Sequence, residues 1–146
     1  MPVGDGSQLL LELGVAAAMM LAMTLVHALG LFTISRSLRL KGDRLEEQEF
    51  GPRAIGLMCA TALALFALHT IEIWMFALLF LGLSTIETLE GALYVSASAY
   101  TTLGTDASLF PAGWRLLAAV EALIGFLLIG WSTAFIVSKL GKLLPD

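Results

Sequence analysis

Disulfide chemistry is closed to this chain, because its 146 residues include one cysteine, Cys59, set inside an apolar run. A single thiol also excludes a thiolate metal cluster and dithiol redox chemistry. Charge is scarce: 14% of the residues are charged against 58% hydrophobic, and the mean hydropathy is +0.89. A soluble domain of this length has too little interior to hide that much apolar surface, so the composition points to an integral membrane protein. The first fifteen residues, MPVGDGSQLLLELGV, contain no Lys or Arg. The basic start of a cleavable signal peptide is therefore missing, the apolar run that follows is too long for one, and the segment is expected to remain as a span. No Ser/Gly/Pro-rich linker, repeat or low-complexity tract breaks the chain, which reads as one domain. No inverted repeat suggests a secondary transporter. Nor does any nucleophile–base pair or metal-ligand spacing suggest an enzyme or a cofactor. The formal charge of −4 argues against a nucleic-acid partner.

What is present is three long apolar runs. Residues 9–34, 55–83 and 114–137 are each long enough to cross a bilayer core of ~30 Å at ~1.5 Å per residue. The second is too short for a helical hairpin, and Pro111 stands before the third as a helix starter. Between the first two lies SRSLRLKGDRLEEQEFGPR, a polar stretch expected to form a short loop, with or without a surface helix. Of the eight basic residues, Arg36, Arg39, Lys41, Arg44 and Arg53 fall in or beside it, and Lys139 and Lys142 follow the last span. By the positive-inside rule this loop and the C-terminus are expected in the cytoplasm and the N-terminus outside, in a multi-pass protein of the plasma or inner membrane.

The stretch between the second and third runs is different. ETLEGALYVSASAYTT, residues 87–102, has helix formers and the capping residues Ser84, Thr85 and Thr88, but it would cover only ~22 Å and cannot cross. It leads into TLGTDASLFPAGWR, rich in hydroxyls and glycine. Irregular backbone at membrane depth is tolerated where protein shields it or where it lines water, so a re-entrant helix and loop are expected. Taken alone, TTLGTD reads as an ordinary external turn, and the half-length helix, the topology and the Pro-led third span turn the reading toward a pore loop.

A helix, a short helix ending AYTTLG, a loop with an aspartate, then a proline and a glycine-containing helix resemble the pore module of the potassium-channel superfamily of pore-loop cation channels. The likeness covers roughly residues 55–140. Within it EIW, ALYVSASAYTTLG and WRLLAAVEALIGFLLIGWSTAFI look most like small bacterial proteins of the two-pore-domain potassium-channel family. The resemblance implies an all-α membrane fold of three transmembrane helices plus a re-entrant pore helix and filter loop. It implies an N-terminal helix and cytoplasmic loop over 1–52, and a pore module over 53–146. Within that module it places an outer helix at 55–83, a pore helix at 87–101, a filter at 102–106 and an inner helix at 112–140. With one pore loop per chain, it implies a homotetramer.

Filters of that family read T-V-G-Y-G or T-L-G-Y-G and replace the hydration shell of potassium with backbone carbonyls. Thr102, Leu103 and Gly104 match this pattern. Thr105 stands where the aromatic would be and Asp106 where the second glycine would be. The likeness then implies a channel permeable to K+ and Na+, with potassium preference weakened in the outer half, in the manner of the shortened TIGET filters of cyclic-nucleotide-gated channels. Four copies of Asp106 would ring the mouth, attract cations and hold a divalent ion if the ring is tight. The alternative is a non-conducting membrane subunit or regulatory protein that keeps the fold.

Three further groups stand out. His69 and Glu72, three apart on one helical face, and Glu121 in the third span form a candidate proton-sensitive cluster. Their plainer reading is a hydrogen-bonded packing contact. His27 has no second ligand nearby in sequence and reads as packing. Gly125 and Gly130 are either a gating hinge or sites of close helix approach. No arginine ladder marks a voltage sensor, so the stimulus is left open.

Overall fold

A computed structural model describes residues 6–42, 52–104, 106, 110 and 114–140. These form four α-helices: α1 (Gly6–Gly42), α2 (Pro52–Gly82), α3 (Leu89–Tyr100) and α4 (Arg115–Leu140). Three are long and apolar enough to cross a membrane, over Gly6–Ser37, Ile55–Gly82 and Arg115–Lys139. α3, with 12 residues, extends only about 18 Å and is not. Much of the apolar surface on the long helices faces outward: Leu10, Leu63 and Phe66 are all at least 70% exposed. Water would not tolerate such faces, and lipid does, so the chain is a helical membrane protein.

The polar stretch after the first apolar run is more helical than the sequence suggests. α1 continues past Ile34 to Gly42, because Leu, Arg and Lys favour helix and no proline intervenes before Pro52. Residues 43–51 lie outside the described residues.

The chain direction alternates. Glu12 near the start of α1 reaches Leu117 near the start of α4, and His27 further along α1 meets Ser132 further along α4, so α1 and α4 run parallel. α2 runs against them, since Leu31 and Ile34 of α1 and Phe135 and Ile136 of α4 share a cluster with Leu65 and Leu68 of α2. The larger core lies at the other end, where Phe76, Phe80, Val95, Tyr100, Phe110, Leu117 and Ile124 pack together. α3 joins this end only, packed against α2 and α4.

The connection into α3 is built by capping. Ser84 takes a left-handed φ of 52° just beyond α2. The Thr85 hydroxyl and amide both donate to the Phe80 carbonyl, closing the last turn of α2. Thr88, extended at φ −117°, then caps α3 by accepting from the Gly91 amide at 3.1 Å. Glu90 in the first turn faces the positive end of the helix dipole.

Candidate functional site

Two polar constructions occupy the buried interior. The first centres on Glu72, fully buried on α2. His27 of α1 lies with its Nδ1 2.8 Å from Glu72 Oε1. His69, one turn before Glu72, places its Nδ1 3.0 Å from Oε2. The Tyr100 hydroxyl at the end of α3 donates to that same Oε2 and sits 2.7 Å from His69 Nδ1. With Nδ1–H of His27 donating to the carboxylate, its Nε2 is left to accept from the Ser132 hydroxyl of α4, 3.4 Å away. All four helices thus contribute to one network. His27 and Tyr100 are buried, while the His69 side chain keeps 19% of its surface exposed.

The second construction joins α3 to α4. The Ser96 hydroxyl bonds both Glu121 Oε1 and the Ile73 carbonyl of α2, the latter at 2.8 Å. Glu121 is fully buried and its other oxygen, Oε2, has no partner among the described residues. A third buried carboxylate, Glu12 of α1, accepts from the Leu117 amide at 3.0 Å. That amide is in the first turn of α4, where no intrahelical acceptor exists, so Glu12 caps α4 from a neighbouring helix.

The sequence pairing of His69 with Glu72 is present, but Glu121 is bonded to Ser96 instead of joining them. His27, read from the sequence as packing, is a direct partner of Glu72. Tyr100, Ser96 and Ser132 lie within the stretches that resemble a pore module and Glu12 within the first apolar run, but no local spacing marks them as partners of these carboxylates. A helical wheel shows which positions share a face, but not which residue of another helix will arrive there.

The two glycines of α4 are unlike. A Cβ added at Gly125 would fall on the Tyr100 carbonyl oxygen and come within 2.9 Å of the carbonyl carbon and Cα behind it. The absent side chain is what lets the end of α3 rest on α4. At Gly130 a Cβ would meet nothing within 4 Å. Close approach therefore accounts for Gly125 and not for Gly130.

Beyond Tyr100 the backbone turns sharply. The Thr101 and Thr102 amides reach back to the Ala97 and Ala99 carbonyls, and the Gly104 amide to the Ser98 carbonyl at 3.2 Å. Thr102 has φ 59° and Gly104 φ 96°, a left-handed conformation that is free for glycine and strained for a β-branched residue. Thr102, Leu103, Gly104 and Asp106 are exposed in the single chain, Leu103 to 77%. Thr105 lies outside the described residues.

Comparison with protein-family models, with curated proteins and with solved structures finds no match for this chain.

Proposed function

We propose that this chain is one subunit of a cation channel, with α3 as a re-entrant pore helix and Thr102, Leu103, Gly104, Thr105 and Asp106 as its filter. Four copies surround one axis, and K+ and Na+ pass with weakened discrimination. One observation carries the reading: a helix too short to cross is anchored on its buried side to both α2 and α4 and presents an exposed, left-handed TTLG turn at its end. The turn after α3 leaves backbone polar groups at exposed residues, Thr102 to Gly104, which in lipid need protein or water around them. Neighbouring copies would cover them. Asp106, exposed just beyond the turn, supplies negative charge at the mouth. In this reading the basic residues near the ends of α1 and α4 are cytoplasmic and the N-terminus is outside.

One observation favours the second reading, a non-conducting subunit. The Gly104 amide is spent on the Ser98 carbonyl, which folds the turn back on α3 instead of extending it. Ion flux decides between them. Asp106→Ala in reconstituted protein is expected to lower cation flux or relieve divalent block, and unchanged flux and block would remove Asp106 from the path.

A further inference from the structure

We propose that His27, His69 and Glu72 form a binding site for a divalent first-row transition ion of the Zn2+ type, with the Tyr100 hydroxyl as a fourth ligand. The site is separate from the exposed Thr102, Leu103 and Gly104 and does not depend on whether the chain conducts. Its ligand atoms, one from each of the three residues, lie within 4.8 Å of one another. Two imidazoles and one carboxylate are the donor set that zinc and ferrous ions take in proteins.

The spacing fits. Bonds of ~2.0–2.1 Å in a tetrahedral site put neighbouring donor atoms about 3.3 Å apart. The separations here are 2.8 Å from His27 Nδ1 to Glu72 Oε1, 3.0 Å from His69 Nδ1 to Glu72 Oε2 and 2.7 Å from His69 Nδ1 to the Tyr100 hydroxyl, with one ligand atom from each of His27, His69 and Glu72 inside 4.8 Å. Turning one Glu72 oxygen toward both imidazoles and opening the shortest contacts by about half an ångström admits the ion in place of the protons that now bridge these atoms.

The surroundings fit as well. Both histidines turn Nδ1 inward; on binding, the His27 proton would move to Nε2, where the Ser132 hydroxyl 3.4 Å away can turn to accept it and fix the ligating tautomer. The Trp131 ring, 5.3 Å from His27 between centroids, shields the site on the α4 side. The part-exposed His69 ring gives an ion a way in. In the protein interior one carboxylate serves three hydrogen-bond donors, and a bound ion would balance its charge in a low dielectric.

Ser132 and Trp131 of α4 stand against the site. Once filled, it would tie α1 to α2 and to the end of α3.

The test uses the full, tag-free chain in lipid nanodiscs, stripped with a chelator and titrated with Zn2+, then with Co2+ for its visible absorption. The expected result is one saturable ion per chain with an intense tetrahedral cobalt band. His27→Gln, His69→Gln and Glu72→Gln should each abolish it, and Ser132→Ala should weaken affinity roughly 10-fold. Because Glu72→Gln strips a buried network and can unfold the chain, the part-exposed His69→Gln variant, checked for an unchanged helical spectrum, is the deciding one. No saturable binding by the native chain, or binding that survives folded His69→Gln, would overturn the proposal.

Discussion

The two ends of the bundle are held by different forces. At the end that contains α3, Glu12, Glu72, Glu121, Ser96 and Tyr100 make directional bonds between helices. At the other, Leu31, Leu65, Leu68, Phe135 and Ile136 pack through apolar contacts between helices. In lipid an apolar side chain gains little by leaving the tails for another helix, so the apolar end is held by shape and the polar end by register. A polar bond breaks when a helix rotates or slides by one position, whereas leucines re-pack. The polar end therefore fixes where α3 sits, and the apolar end is where α1, α2 and α4 can shift against one another with least loss.

Substitutions should separate the two ends. The largest effect is expected at Gly125→Ala, where the new methyl meets backbone. Overpacking of this kind costs ~1–3 kcal/mol or more, and this case should lie at the top of that range. Loss of thermal stability, together with new protease cleavage near Tyr100, would show α3 displaced, and a native-like variant would break the account of α3 seating. Next comes Glu72→Gln, which weakens bonds from two histidines and a tyrosine at once. A loss of about 2–3 kcal/mol is expected from charge-assisted bonds, read as a lower midpoint in detergent-induced unfolding. Leu65→Met at the apolar end should cost under ~1.5 kcal/mol, and a loss as large as that of Glu72→Gln would erase the distinction between the ends. Gly130→Ala should raise stability by roughly 0.5–1 kcal/mol, because the added methyl meets nothing and helix propensity improves. If ion flux falls while stability rises, Gly130 is the bending point; if flux is unchanged, it is a plain helix position.

The long apolar runs made the three spans legible, and chain length alone showed that 87–102 could not cross. The capping role of Thr88 was readable too, since a threonine three residues before Gly91 signals a helix start. The buried network was not. Only the i, i+3 pair His69 and Glu72 is local, whereas His27 and Tyr100 come from α1 and α3, 45 and 28 residues from Glu72. Their meeting depends on helix order and rotation, which periodicity leaves open. The same limit assigned Glu121 to the wrong partners, and it left the two glycines of α4 indistinguishable until the close approach of Tyr100 separated them.

The most direct test of the channel reading is the reversal potential of the purified chain in a planar bilayer, with K+ on one side and Na+ on the other. The account predicts a cation current reversing near zero, because in the proposed channel Thr102–Gly104 would keep the inner half of a potassium filter while Thr105 and Asp106 would replace the outer half. Absence of any current across a range of pH and membrane tension would contradict it and leave the non-conducting subunit.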